Sequence, residues 1–321
     1  MAQIDVMRSY LDYFDHENTV TKFADITNEF EEMWQDFSDV LNGSDKNKFK
    51  MDVAERNSAR NRYWSIGPYD SNRIHLNGTG ATNPDGYINA SPISYPGTTQ
   101  KYIAAMGPIE KTVPDFWDMI LQQHVLVIAM LCKSVERGMS KCATYWPQNL
   151  EERLRFKTVA HGEFIITLTD IVDHDDFLVR RFAIHHNATE RIVHQLHYND
   201  WPDHGRPNVA QKVATFIETL HSLLPDRSRQ NADSPILVHC SAGCGRTGTV
   251  IAINILREII KTRKGEHPLL SRPLQRSGVR QFVLDLRRQR INLLEDAGQY
   301  RLLHRCLAIY SREVVNDHIE L

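Results

Sequence analysis

The sequence has no stretch long and apolar enough to cross a bilayer. Its longest apolar run, Val125 to Cys132 (VLVIAMLC), falls far short of the roughly 20 residues that a spanning helix needs. The N-terminus MAQIDVMRSYLDYF lacks the basic lead and apolar core of a signal peptide. Charge of one sign is equally scarce. With 38 Lys and Arg against 40 Asp and Glu, the formal net charge of −2 supplies no global field toward nucleic acid or an anionic membrane, so any anion site must be local. Cysteine is sparse and scattered: the five, at 132, 142, 240, 244 and 306, form no disulfide framework and no Cys-x-x-Cys pairs. That pattern points to a reducing, intracellular compartment and away from structural zinc. The Asn-x-Ser/Thr triplets at Asn42, Asn77 and Asn187 are then chance occurrences. There is no internal repeat and no low-complexity segment. What is present, 41% hydrophobic and 24% charged residues over 321 positions, is ordinary globular usage with room for one large α/β domain.

Apolar residues at helical spacing open the chain: Val20, Phe23, Ile26, Phe30, Met33, Trp34 and Phe37 predict one or two docking helices. The polar stretch NGSDKNKFKMDVAERNSARN, 42–61, has no clear period and is predicted to be a surface loop. The middle third reads as strands: GYINAS, KYIAAM, VLVIAML, FIITLTDI, FLVRRFAIHH and RIVHQLHYN are short, β-branched or aromatic, and separated by Gly, Pro, Asn or Asp. The last two flank an Asn-containing turn and predict an antiparallel hairpin. Helical period dominates afterwards, interrupted by one strong strand, PILVH, 235–239. The expected fold is α/β (α+β): a highly twisted mixed central β-sheet flanked by helices, with a phosphate-binding loop between a buried strand and a helix.

That loop is VHCSAGCGRTGTV, 238–250. Cys240 and Cys244 have no second cysteine pair, and His239 points to the opposite strand face from Cys240, so four metal ligands do not converge. A plain turn would not need three glycines and an arginine. A phosphate cradle uses them all: the backbone of Ser241, Ala242, Gly243, Cys244 and Gly245 can turn successive N–H groups toward one anion. The helix that follows offers its positive N-terminal end, and Arg246 a planar fork for two phosphate oxygens. The same field favours a thiolate at Cys240, which becomes the nucleophile. The Thr247 hydroxyl can donate to its sulfur, while Cys244 fits a filler behind the loop. Expulsion of an alkoxide or phenoxide needs a general acid, for which Asp203 in WPDHG is a candidate, although an aspartate in such a turn reads by itself as a turn former.

His-Cys-Ser-Ala-Gly-Cys-Gly-Arg-Thr-Gly, 239–248, resembles the signature loop of the protein tyrosine phosphatase family, and the resemblance extends over about 25–312. It implies that Asp203 lies on a mobile acid loop hinged at Trp201, protonating the leaving oxygen and later deprotonating water. It implies that Tyr63, in ARNRYWSIGPYDSNRIHL, lines the substrate slot and selects long aryl phosphates by depth. Ser65 and Met106 stand where the family usually has aspartate and glutamine. By the same analogy Glu136 orients Arg246 and Lys141 approaches the closed acid loop, although a solvated surface charge explains either residue as well. RRQRINLLEDAGQY, 287–300, resembles the glutamine loop that positions hydrolytic water. Gln299 keeps the second glutamine, and Glu295 replaces the first. A carboxylate there can hold water, or can repel the phosphoryl group and slow the second step.

Remaining clusters read as structure. His185, His186, His194 and His197 alternate across a hairpin and are not expected to bind metal. DHDD, 173–176, reads as a turn, and Arg287, Arg288 and Arg290 as solvated charge at a helix end. The sequence thus divides into a helical lead, 1–24, one catalytic domain, 25–312, and a tail, 313–321, with no receptor or targeting module. The expected activity is hydrolysis of phosphotyrosine in proteins through a phosphocysteine. It needs no cofactor and implies neither nucleic acid nor membrane as partner, in a monomer of the cytoplasm. Glu295, Met106 and Ser65 motivate a second reading, a pseudophosphatase or substrate trap. A phosphoinositide or RNA 5′-phosphatase is a third. Compactness and the altered glutamine loop also resemble the single-domain tyrosine phosphatases of bracoviruses, a likeness that implies action on host phosphotyrosine signalling in the host-cell cytoplasm.

Overall fold

The computed structural model describes residues 19–199, 201, 210–224, 234–262 and 276–317. Ile26, Phe30, Met33 and Phe37 recur every three or four positions and form the buried face of helix α1 (Thr19–Asn42), as the spacing predicts. The following polar stretch departs from expectation. Instead of a plain loop it holds a short helix, α2 (Asp52–Arg56), between 3-10 turns at Lys46–Phe49 and Ser58–Arg60. Single turns leave no readable period. Here the helix start is fixed from outside, by Asp70, whose two carboxylate oxygens accept from the amides of Asp52 and Val53 at 3.0 Å each.

Eight strands form the main sheet: β1 (Ala90–Ile93), β2 (Tyr102–Met106), β3 (Val127–Met130), β6 (Arg153–Thr158), β7 (Gly162–Asp173), β8 (Phe177–His186), β9 (Thr189–Tyr198) and β10 (Ile236–Cys240). Their order is β1-β2-β10-β3-β9-β8-β7-β6, with a separate two-stranded ribbon of β4 (Val135–Glu136) and β5 (Met139–Ser140). The predicted hairpin is β8–β9, paired from Phe177↔Tyr198 to His186↔Thr189. The edge strand β6 escapes sequence reading because its residues, RLRFKT, alternate only between exposed and half-buried. Charge of this kind is how an edge avoids further pairing.

The sheet is mixed. β2, β10, β3 and β9 run parallel, whereas β1–β2 and β9 through β6 pair antiparallel. All five residues of β10 are buried, as a parallel strand covered on both faces requires. Helices α3 (Val113–Gln122), α4 (Ala210–Ser222), α5 (Gly245–Thr262), α6 (Arg276–Arg287) and α7 (Ala297–Asp317) complete the described α-helices. α7 touches α1, α4 and α5, and α1 also touches α6. In register, Cys240 lies opposite Met106, and His239 opposite both Ala105 and Met130. The shared direction of these parallel strands brings their carboxyl ends to one rim, where open α/β sheets bind ligands.

Candidate active site

Between the end of β10 at Cys240 and the start of α5 at Gly245 the chain has four residues to reverse direction. Gly243 makes the reversal possible: its φ is +75°, and a Cβ there would sit 2.2 Å from the Ala105 carbonyl oxygen. Its N–H donates to Cys240 Sγ at 3.2 Å, so one backbone donor already points at the sulfur. Gly248 lets α5 approach the chain before Glu295, since a Cβ would meet Leu294 N at 2.3 Å. Cys244 is fully buried, its thiol directed at the Ala242 carbonyl at 3.7 Å. Burial pushes that thiol up to about 12, the behaviour of an inert packing residue. Thr247 is buried with its hydroxyl unbonded.

Arg246 is fixed from behind. Its Nη1 and Nη2 donate to the two carboxylate oxygens of Glu136 at 2.7 and 2.8 Å, and Nη1 also reaches the Leu131 carbonyl at 2.9 Å. Burial disfavours its charge, but the Glu136 bond and field outweigh that and push Arg246 above its ordinary value. Glu136 and Lys141 are both buried, so neither is the solvated surface charge that the sequence left open. β4 and β5 of the small ribbon bring the Glu136 carboxylate beneath the cup, and the Lys133 N–H donates to its Oε1 at 3.1 Å.

The strand side of Cys240 is set by a chain of hydrogen bonds that sequence reasoning missed. His239 Nδ1–H donates to the Cys240 carbonyl at 3.3 Å. Its Nε2 accepts from the Tyr145 hydroxyl at 2.8 Å, which in turn accepts from Gln195 Nε2 at 2.8 Å. Burial pushes His239 down to about 4, so the ring is neutral and these bonds assign its tautomer. Tyr145 lies in KCATYWP, 141–147, and nothing local in the sequence pairs it with a histidine 94 positions away.

The arginines of LRRQR require a correction. Arg287 and Arg290 are fully buried, whereas only Arg288 is near solvent, paired with Asp285 at 2.6 Å. Arg290 underpins the cup: Nε donates to the Gly243 carbonyl at 2.8 Å, and Nη2 to Ala242 O at 3.1 Å and Asn89 Oδ1 at 2.7 Å. Carbonyls turn toward Arg290 because the loop's N–H groups turn the other way.

Tyr63, Glu295 and Gln299 border the same cup. The Tyr63 hydroxyl lies 2.8 Å from Ser241 Oγ. Its loop is anchored by Arg62, which donates to the carbonyls of Pro108 and Ser140 at 2.8 and 3.1 Å, and whose N–H meets Met106 Sδ at 3.2 Å. A Cβ on Gly245 would stand 2.7 Å from Gln299 Nε2 and 3.1 Å from Glu295 Oε2, which sets both side chains against the loop. Gln299 Oε1 accepts from the Glu295 N–H at 2.8 Å. Trp201 is buried with its ring 5.9 Å from that of Tyr198. Asp203 lies outside the described residues. The four hairpin histidines do not converge: His185 approaches Glu190 at 3.5 Å, His186 the His161 carbonyl at 2.7 Å, and His197 the Cys132 carbonyl at 2.8 Å.

Known proteins share this fold. The family model described as protein-tyrosine phosphatase matches residues 57–309. The chain is 36% identical over 263 residues to receptor-type tyrosine-protein phosphatase eta of Gallus gallus, covering 81% of this chain and 17% of that protein. It is 32% identical over 254 residues to tyrosine-protein phosphatase non-receptor type 12 of Homo sapiens, covering 79% and 30%. The chain thus spans less than a third of the length of these curated relatives. Among solved structures, the catalytic domain of human protein tyrosine phosphatase non-receptor type 18 superposes with a TM-score of 0.77 at 27% identity, covering 91% of this chain and 98% of that one. The chain belongs to the protein tyrosine phosphatase family.

Proposed function

We propose that the chain hydrolyses phosphotyrosine in proteins by two in-line displacements through a phosphocysteine. The observation that carries this reading is the cup itself: Cys240 Sγ receiving the Gly243 N–H at 3.2 Å, with Arg246 held by both oxygens of Glu136 at its rim. In the first step the Cys240 thiolate forms the S–P bond as the P–O bond to the phenol breaks. Asp203, assigned by resemblance, gives its proton to the departing oxygen. Loop N–H groups and the Arg246 fork take up the charge of the equatorial oxygens. In the second step water attacks phosphorus, its proton passes to Asp203 and the S–P bond breaks. Phosphate then leaves, and Cys240 is again a thiolate. The Thr247 hydroxyl stabilises the departing sulfur, and Tyr63 sets the depth that favours aryl phosphates.

Further parts of the proposal are that 25–312 act as one catalytic domain, in a cytoplasmic monomer with phosphotyrosine proteins as partners and neither nucleic acid nor membrane. The near-neutral charge, the five free, buried cysteines and the lack of any membrane-spanning helix among the described residues support this. The likeness to bracovirus phosphatases extends the proposal to host phosphotyrosine signalling, with Glu295 in the glutamine loop as its support. The test is aryl phosphate hydrolysis by wild type, Cys240→Ser and Asp203→Ala. Both variants are expected to lose at least a hundredfold in kcat. Phosphate release that survives Cys240→Ser would sink the covalent route, and a wild type that binds phosphotyrosine peptides without turnover would make it a trap.

A further inference from the structure

Arg287 is a fully buried cation with no carboxylate in contact among the described residues. Its guanidinium lies instead against three aromatic rings of α1, 4.2 Å from the Trp34 centroid, 5.3 Å from Phe30 and 5.7 Å from Phe37. An aromatic face is the one apolar surface that attracts such an ion. The opposite edge of the fork is committed to backbone: Nε donates to the Leu293 carbonyl at 3.1 Å and Nη2 to the Leu294 carbonyl at 2.7 Å.

Those carbonyls belong to the two residues immediately before Glu295, in a strained stretch. Asn292 and Leu294 both have positive φ, +56° and +61°, a conformation costly for side chains with a Cβ and kept only where the surroundings impose it. Arg287 imposes it from one side. From the other, the Leu294 N–H reaches the Cys244 carbonyl at 3.4 Å, and Gly248 leaves the space for that approach. The next residue, Glu295, puts its carboxylate against Gly245 of the cup, alongside the Gln299 amide. A continuous line of contact therefore runs from α1 through Arg287 to the segment that carries Glu295.

We propose that Trp34 and Arg287 are positioning residues: α1 holds the guanidinium, the guanidinium holds the 293–294 carbonyls, and the relay sets Glu295 and Gln299 over the cup for the water-dependent step. This rests on the phosphatase reading above. Forming the phosphocysteine uses Cys240, Arg246 and the loop N–H groups, and the relay meets that loop through the Cys244 carbonyl and the Gly245 backbone without a contact to Cys240 Sγ or the Arg246 guanidinium among the described contacts. Breaking it needs a placed water. Loosening the relay is therefore expected to slow the second step and spare the first, whereas a purely structural role would damage both together.

Trp34 is half-buried on α1, so Trp34→Leu keeps an apolar contact and removes the cation–π face, while Trp34→Phe keeps a ring. Rapid mixing with an aryl phosphate separates the steps. Trp34→Leu is expected to leave the burst rate constant and kcat/KM within about twofold of wild type. Phosphoenzyme decay should slow by about threefold or more, so that kcat and KM fall together, with Trp34→Phe close to wild type. In the 15N-labelled protein the Glu295 and Gly245 amide resonances should shift in Trp34→Leu. Equal loss in both steps, or unmoved Glu295 and Gly245 amides, overturns the relay. A wild type without aryl phosphate turnover overturns the phosphatase reading instead, and the amide shifts then still judge the relay.

Discussion

Arg246 and Glu136 face each other as a two-point ion pair, fork to fork, at 2.7 and 2.8 Å, with both side chains buried. Such a pair fixes the plane of the guanidinium as well as its position. Glu136→Gln can meet only one of the two donors as an acceptor and leaves the other facing an NH2 group. We expect kcat/KM for an aryl phosphate to fall about 10- to 100-fold, the equivalent of one charge-assisted hydrogen bond. A change below twofold would mean that Arg246 needs no such support.

Glu295 is the position where chemistry and placement conflict. Its oxygen lies against the cup at Gly245, where a carboxylate can hold water but repels a bound phosphoryl group. Glu295→Gln keeps the hydrogen bonds and removes the charge, so phosphoenzyme decay should accelerate several-fold and the burst shrink. Glu295→Ala, which removes both, should slow decay. Stopped-flow release of an aryl alcohol, compared with phosphate release, reads both variants.

Arg290 supports the underside of the cup through Gly243, Ala242 and Asn89. Replacement by Met leaves these buried acceptors without donors, at about 3 to 5 kcal/mol of stability. Urea unfolding measures the loss. A cost under about 1 kcal/mol would restore the solvated-charge reading that the sequence suggested.

Burial holds His239 and His221 down to about 4 and His197 to about 3. An unfolded histidine titrates near ~6.5, so between that value and about 4 the unfolded chain binds protons that the folded chain refuses. Stability is therefore complete above about pH 7 and declines as pH falls through this window. The urea midpoint should be lower at about pH 5.5 than at about pH 7.5. An equal or higher midpoint at the acid pH would exclude buried neutral histidines.

Local signals carried much of the molecule. Spacing alone predicts the buried face of α1, the β8–β9 hairpin and the strand–loop–helix around Cys240, because each is written within a few consecutive residues. What failed depends on partners far away in the chain. The helix at Asp52–Arg56 is set by Asp70, the orientation of the His239 ring by Tyr145, and the burial of Arg287 and Arg290 by carbonyls that exist only once the cup has formed. An arginine satisfied by backbone oxygens has no sequence signature, since any residue supplies a carbonyl.

The position of β10 has one more consequence. It lies between two parallel neighbours, β2 and β3, with every residue buried, so its amides can exchange with solvent only when the centre of the sheet opens. Such strands take part in the last cooperative unit to separate. The anion cup grows directly from that strand, and on gradual heating or in denaturant the edge strand β6 should fray well before Cys240 loses its surroundings. Residual activity should then outlast the first spectroscopic signs of unfolding and vanish only with the global transition.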